Sequence, residues 1–118
     1  MPRAALTEKM FFEELTKWQE GAVVSIYNGH IRCVRKADFI THCPITAVID
    51  SKFGEKLTLS EAMAASAKGY LTPKFARAVV RAADQGYSLG AAEDTKLNAK
   101  AKRVRKQLLK ALNLKEVE

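Results

Sequence analysis

Four residues of the types that ligate zinc lie close together in the chain: His30, Cys33, His42 and Cys43. Structural zinc sites bind the metal through imidazole nitrogens and thiolate sulfurs at recurrent spacings. The order here, H-x2-C-x8-H-C, follows none of those spacings. We also expect His30 and Cys33 to lie on one β-strand, where residues an odd number apart point to opposite faces. The sequence therefore predicts no metal site, and we find no cofactor motif.

Cys43 carries a second chemical hypothesis, which is thiol chemistry. It precedes Pro44, so we expect it to be a helix N-cap, where the positive end of the helix dipole favours a thiolate. The neighbouring His42 could assist such a nucleophile. Free cysteine is, however, among the most buried residue types, and no third orienting residue or cysteine-enzyme signature accompanies this pair. We therefore predict no catalytic residues and a protein that is not an enzyme.

The positive charge is concentrated towards the C-terminus. The chain has 20 Lys and Arg against 13 Asp and Glu, a net charge of +7. Residues 1–94 hold twelve of these bases and eleven of these acids, whereas residues 95–115 hold eight bases and no acid. Such a local excess of cations indicates a polyanion or an acidic protein surface as the partner.

The basic segment has the pattern of a helix over residues 95–113. Apolar residues recur along it at helical spacing, as in Ala101, Val104 and Leu108, and cations cover the rest of its circumference. We expect these cations to contact phosphates in a salt-dependent manner: Lys96, Lys100, Lys102, Arg103, Arg105, Lys106 and Lys110. The alternative is a solvated face that only keeps the protein soluble. The apolar stripe has no Trp or Phe, so we expect no membrane binding.

Residues 61–80 resemble a helix-turn-helix. Ala65, Gly69 and Phe75 occupy the positions of its small residue, its turn glycine and the core anchor of its second helix. Leu71 departs from the motif, because the turn position it occupies is commonly polar. The second helix, predicted over residues 73–85, would present three cations to phosphates or guanine edges: Lys74, Arg77 and Arg81.

An Asn28-Gly29 dipeptide between two runs of β-forming residues predicts a β-hairpin over residues 22–36. A two-residue loop would pair Tyr27 with His30 and Val24 with Cys33. Alternation would then place Cys33 on the inward face together with the apolar residues of both strands.

Capping residues and helical periodicity predict helices over residues 8–20, 44–53 and 59–68, in addition to those over 73–85 and 95–113. In helix 44–53 we expect Asp50 to be exposed and Phe53 to be buried. Together with the hairpin, these elements predict a single α+β domain over residues 1–118. In this domain an N-terminal helix and a β-hairpin pack on a bundle of about four helices.

No apolar run approaches the length of about eighteen residues that a membrane span requires. The N-terminus has no apolar segment of the secretory type. We therefore expect a cytoplasmic protein whose cysteines remain reduced.

Four short segments carry a family resemblance: GHIR at 29–32, CPITAV at 43–48, AAD at 82–84 and LLKAL at 108–112. In these segments the chain resembles small uncharacterised bacteriophage and prophage proteins. The resemblance covers roughly the latter three quarters of the chain. It implies a phage or bacterial cytoplasmic setting and carries no functional residue with it.

The leading hypothesis for function is a non-enzymatic nucleic-acid-binding accessory protein, with DNA favoured over RNA. The alternative is a protein-interaction module, an adaptor or an inhibitor, that binds an acidic protein surface and no nucleic acid. Thiol chemistry at Cys43 is the third hypothesis. The oligomeric state is left open by the sequence.

Overall fold

The computed structural model describes residues 5–20, 22–27, 30–35, 41–54, 69–83 and 95–115. It has seven described elements, which we label in chain order: α1 (Glu8–Glu20), β1 (Ala22–Tyr27), β2 (His30–Arg35), β3 (Thr41–His42), α2 (Pro44–Phe53), α3 (Pro73–Ala83) and α4 (Thr95–Ala111). The predicted α+β fold class is confirmed. The predicted helix over residues 59–68 lies outside the described residues, as do residues 84 and 85 of the helix predicted over 73–85.

Helix α1 begins where its capping residue predicts. The Met10 amide donates to Thr7 Oγ1 at 3.1 Å, and the Phe11 amide donates to the Thr7 carbonyl at 3.0 Å. The first bond satisfies an amide that the first turn cannot pair internally, and the second is the first main-chain bond of the helix. Phe11, Leu15 and Trp18 are buried at helical spacing and form the core face of this helix.

The sheet has three strands in the order β1-β2-β3. Strands β1 and β2 are antiparallel, and Tyr27 pairs with His30 and Val24 with Cys33, as predicted. Strand β3 was not predicted; it adds to the other edge of β2 through a pairing of Cys33 with His42. A strand of two residues shows no alternation that a sequence pattern could reveal.

Helix α2 is more deeply buried than its sequence indicates. Every residue from Pro44 to Asp50 is buried, so the helix has no exposed polar face over its first two turns. The prediction that Asp50 is exposed is wrong, since its residue surface is only 7% exposed. The prediction that Phe53 is buried is also wrong, because it is 42% exposed at the end of the helix. Gly54 ends the helix with φ 68°, and its amide donates to the Asp50 carbonyl at 2.9 Å.

An aromatic cluster joins α1 to α3. The Phe11 and Phe75 rings meet edge to face, with centroids 5.2 Å apart and an interplanar angle of 88°. Phe12 contacts both rings in similar T-shaped arrangements, with centroids 5.5 Å from Phe11 and 6.0 Å from Phe75. Edge-to-face ring pairs of this kind stabilise the folded protein by more than the apolar area that they remove from water accounts for.

The segment before α1 is tied to the segment before α3. The Ala5 amide donates to the Gly69 carbonyl at 2.8 Å, and the Leu6 amide donates to the Tyr70 carbonyl at 3.0 Å. Gly69 has φ 82°, the left-handed conformation predicted for a glycine that ends a helix. Leu6 is buried in the core. These contacts fix the backbone immediately ahead of α3.

Helix α4 ends at Ala111, two residues before the predicted boundary. Asn113 has φ 53°, and its amide donates to the Lys110 carbonyl at 3.1 Å. The Leu114 amide donates to the Leu109 carbonyl at 2.8 Å. Together these bonds form a Schellman motif, with asparagine in the position that glycine commonly takes. None of the described helices combines the length and the apolar character needed to cross a membrane.

Candidate nucleic-acid interface

Helix α4 has one apolar face and one basic face. Ala101, Val104, Leu108 and Leu112 are buried in the core. Four cations are exposed on the opposite side, and we call them the basic ridge: Lys102, Arg103, Lys106 and Lys110. Each of them has another ridge member three or four residues away, so their side chains are neighbours on the helix surface. The apolar stripe is thus buried, and its burial aims these cations outward.

The charges of the basic ridge are available to a ligand to different degrees. Within the described ranges, Arg103, Lys106 and Lys110 form no ion pair. Lys102 is exposed and has a further interaction within the protein. Since residues 95–115 contain no acid, any ion pair of the ridge must come from another part of the chain. Like charges held this close together repel one another, and a bound polyanion would relieve that repulsion.

Lys100 lies outside the ridge and serves to join two helices. Its Nζ is 2.7 Å from Glu8 Oε1, and the side chain is only 24% exposed. Glu8 stands in the first turn of α1, so the ion pair connects the start of that helix to α4. Because Glu8 already neutralises Lys100, this lysine has little charge to offer a phosphate.

Arg105 is buried, and the prediction that it contacts nucleic acid is wrong. Its residue surface is 2% exposed, and Nη1 donates to the Ala82 carbonyl at 2.6 Å. That carbonyl lies in the last turn of α3, where carbonyls lack amide partners within the helix. Arg105, on the neighbouring helix α4, therefore donates a hydrogen bond to a carbonyl at the C-terminal end of α3. Its positive charge lies at the negative end of the α3 dipole.

The position of Arg105 in the sequence does reveal its burial. It lies four residues after Ala101 and three before Leu108, on the same face of the helix as the apolar stripe. Its charge alone predicts a surface cation, whereas its place on the apolar face of the helix indicates that it is buried. Lys96 falls in the first turn of α4, and its side chain lies outside the described residues.

Helix α3 carries the other predicted cations on its outer face. Lys74 and Arg77 are exposed and Arg81 is half-buried, whereas Phe75 and Val79 are buried on the opposite face. The three cations follow one another at intervals of three and four residues, so they lie along one side of the helix. Lys74 and Arg77 thus point outward, whereas Arg81 is partly covered and has a further interaction within the protein. The first helix of the helix-turn-helix resemblance lies outside the described residues.

The start of α3 is capped as its sequence indicates. The Phe75 amide donates to Thr72 Oγ1 at 3.3 Å, and the Ala76 amide donates to the Thr72 carbonyl at 2.9 Å. Helices α3 and α4 pack side by side through their apolar faces and through the bond from Arg105 to Ala82. The basic ridge and the α3 cations therefore stand on two helices that are held together as a unit.

The two cysteines have different environments. Cys33 is fully buried, and burial together with the neighbouring Cys43 thiol raises its pKa to about 12. Such a thiol is protonated at neutral pH and is a poor nucleophile. Cys43 is half-buried at the predicted N-cap position of α2, but its side chain makes no capping hydrogen bond. A thiolate stabilised by the helix terminus would be expected to accept a hydrogen bond from an amide of the first turn, and Cys43 makes no such bond.

The four zinc-type residues do not form a metal centre in the part of the chain that the structure describes. His30 and Cys33 both lie on β2, three residues apart, so their side chains point to opposite faces. A search of the described residues finds no group of three or more His, Cys, Asp or Glu able to hold a metal ion.

A groove lies between α1 and α4, and the sequence does not predict it. It has a volume of about 660 Å³. Phe12 and Ala111 supply apolar lining, and the other lining residues are polar or charged: Glu8, Lys9, Glu13, Thr16, Gln107 and Lys110. Lys110 thus belongs both to this groove and to the basic ridge. Because the groove arises from the packing of two helices distant in sequence, no local pattern could predict it.

A pair of aromatic rings lies at the surface between α2 and α3. The Phe53 and Tyr70 rings have centroids 4.7 Å apart and an interplanar angle of 33°. Tyr70 is half-buried, and Phe53 keeps 42% of its surface exposed despite this contact. We call these two residues the aromatic pair.

No protein-family model matches the chain, and neither the curated proteins nor the solved structures include a significant match.

Proposed function

We propose that this protein is a non-enzymatic accessory protein that binds nucleic acid through the basic ridge of α4. The observation that supports the proposal most directly is the exposure of Lys102, Arg103, Lys106 and Lys110 on one helix face. Residues 95–115 contain no acid, and Arg103, Lys106 and Lys110 form no ion pair with any residue that the structure describes. The setting would be a bacteriophage or a bacterium, as the sequence resemblance implies.

The length of the ridge suits a phosphate backbone. From Lys102 to Lys110 the helix rises about 12 Å, at about 1.5 Å per residue. Phosphates along one strand of a duplex follow at about 3.4 Å along the axis, so a ridge of this length can face about four of them. Contacts of this kind give affinity without reading the base sequence.

The α3 cations would extend the same contact. Lys74, Arg77 and Arg81 stand on the outer side of the helix that packs on α4. Contacts from both helices would raise the number of neutralised phosphates and steepen the salt dependence. We favour DNA over RNA because the second half of the helix-turn-helix resemblance lies on α3, which would reach guanine edges.

The test compares two pairs of neutralising substitutions that change the net charge equally. Arg103→Gln with Lys106→Gln removes half of the ridge, and Lys9→Gln with Lys17→Gln removes two exposed cations of α1. Fluorescence anisotropy with a labelled oligonucleotide at low salt measures the affinity. We expect the ridge variant to bind at least about tenfold more weakly, and the α1 variant to change less than about threefold. Equal losses in both variants would show that net charge alone, and not the ridge, is responsible.

The groove between α1 and α4 favours a second candidate function, the binding of an acidic protein segment. Its apolar lining by Phe12 and Ala111 would receive an apolar side chain, and Lys110 would pair with an acidic neighbour. A bound partner that is recovered after nuclease treatment, together with absent oligonucleotide binding, would favour this candidate over nucleic acid.

A further inference from the structure

The aromatic pair is unusual among the described aromatic residues because its outer ring is exposed. Phe11, Trp18 and Phe75 are all buried in the core. Phe53 instead leaves 42% of its surface in water while its ring lies against Tyr70 in a tilted arrangement. A single exposed apolar side chain is ordinary on a protein surface, so the exposed ring becomes informative only together with its aromatic partner and the charged residues near it.

Two exposed lysines lie close to the aromatic pair along the chain. Lys52 precedes Phe53 in α2 and is exposed, and Lys74 follows Tyr70 by four residues and is also exposed. Four residues of chain span at most about 15 Å, so Lys74 is within a few nucleotides of the rings. An apolar protein partner would have to desolvate these ammonium groups, whereas a phosphate backbone would pair with them. The charge therefore favours a nucleic acid on this surface.

The pair is also held in place by the backbone on both sides. The Tyr70 carbonyl accepts from the Leu6 amide at 3.0 Å, and the Gly69 carbonyl accepts from the Ala5 amide at 2.8 Å. On the other side, Gly54 closes α2 immediately after Phe53 through its bond to the Asp50 carbonyl. A fixed ring offers a flat face at little cost in conformational entropy.

We infer that the aromatic pair is a stacking platform for an unpaired base, so that this protein binds single-stranded nucleic acid more tightly than a duplex. The inference rests on the proposed function, in which the basic ridge and the α3 cations bind the phosphates. In a duplex both faces of each internal base are already stacked, so covering one with the ring of Phe53 would first require unstacking it. In a single strand every base has an open face that an aromatic ring can cover.

The test uses three labelled probes of equal length: a single strand of mixed sequence, a blunt duplex, and a strand with abasic sites, which keeps its phosphates. The variants are Phe53→Leu, which keeps an apolar side chain against Tyr70, and Phe53→Trp, which keeps an aromatic face. Met10→Leu is the matched control, because Met10 is an exposed apolar residue on α1. Far-ultraviolet circular dichroism verifies that each variant is folded.

We expect the wild-type protein to bind the single strand more tightly than the duplex or the abasic strand. Phe53→Leu should weaken binding of the single strand by about 5- to 100-fold, since one stacked base accounts for a factor of this size. It should leave the affinities for the other two probes within about twofold, because their binding depends on phosphate contacts. Phe53→Trp should restore binding, and its indole emission should be quenched by the single strand and not by the abasic strand.

The failure of this inference is distinguishable from the failure of the proposed function. If the wild-type protein binds duplex and single strand equally and Phe53→Leu changes neither affinity, the platform is refuted and the basic ridge stands. If none of the three probes binds, both proposals are refuted. A loss in Met10→Leu as large as that in Phe53→Leu would also overturn the platform.

Discussion

Replacing Arg105 with alanine should destabilise the protein more than replacing any exposed cation of α4. Arg105 is 2% exposed, and its Nη1 is 2.6 Å from the Ala82 carbonyl oxygen. The substitution removes that donor and leaves a buried carbonyl at the end of α3 without its charged partner. It also removes the buried stem of the arginine and leaves a space between α3 and α4.

The magnitude follows from these two losses. A hydrogen bond from a charged group contributes about 1.5–3 kcal/mol. Two buried methylenes contribute about 0.8 kcal/mol each. The variant no longer has to desolvate a cation, which offsets part of the sum. We therefore expect a net loss of about 2–3 kcal/mol in the free energy of unfolding, compared with a total of about 5–15 kcal/mol for domains of this kind.

Urea denaturation followed by circular dichroism and by tryptophan fluorescence measures this difference. Arg105→Met is the companion variant, because it keeps an apolar stem and should lose about 1 kcal/mol less than Arg105→Ala. Lys106→Ala is the exposed control and should stay within about 0.5 kcal/mol of wild type. Arg105→Met should also retain its affinity for oligonucleotides within about threefold, because a buried guanidinium reaches no phosphate. Wild-type stability in Arg105→Ala would refute the role assigned to this residue.

Three further outcomes test other parts of the structure. Iodoacetamide at about pH 8 should alkylate Cys43 long before Cys33, because only about one Cys33 thiol in ten thousand is ionised there; equal rates by mass spectrometry would contradict this. The Cys33 pKa rises on folding from 9.0 to about 12, so the contribution of this thiol to stability is fully present below pH 9 and declines between pH 9 and about 12. Comparison of wild type with Cys33→Ala should show this as an extra decline of up to about 1.4 kcal/mol per pH unit. Phe75→Leu should cost about 1–3 kcal/mol in urea denaturation through its lost edge-to-face contact with Phe11, and a loss below about 0.5 kcal/mol would contradict that contact.

The elements that the sequence predicts well are those specified by neighbouring residues. Asn28-Gly29 selects a two-residue turn, and the turn alone determines that Tyr27 pairs with His30. Thr7 and Thr72 cap α1 and α3 through their own side-chain oxygens, so both helix starts are visible in a few residues. None of these features requires knowledge of the tertiary structure.

The errors arise where distant elements decide the environment. The pattern of a helix with one exposed face predicts an exposed Asp50 and a buried Phe53. Helix α2 is instead covered on all sides up to Asp50. Strand β3 exists only because it pairs with β2. In each case the deciding contact is with a segment that the local sequence does not contain.

The candidate site likewise has features that neighbouring residues determine and features that distant segments determine. The outward cations of α3 and the basic ridge could be predicted because a helix places residues three and four apart on one face. The aromatic pair could not, since Phe53 and Tyr70 belong to different segments whose approach depends on the fold. The neutralisation of Lys100 by Glu8 is a contact of the same kind.

The salt dependence of oligonucleotide binding tests the central claim most directly. If the four cations of the basic ridge each displace a counterion, the logarithm of the affinity should fall with the logarithm of the salt concentration. The expected slope is about −3 for a single strand and about −3.6 for a duplex, and steeper if the α3 cations also bind. In the Arg103→Gln, Lys106→Gln variant the slope should become shallower by about 1.5 to 2. A wild-type protein that does not bind at about 50 mM salt, or whose affinity is independent of salt, would contradict the claim.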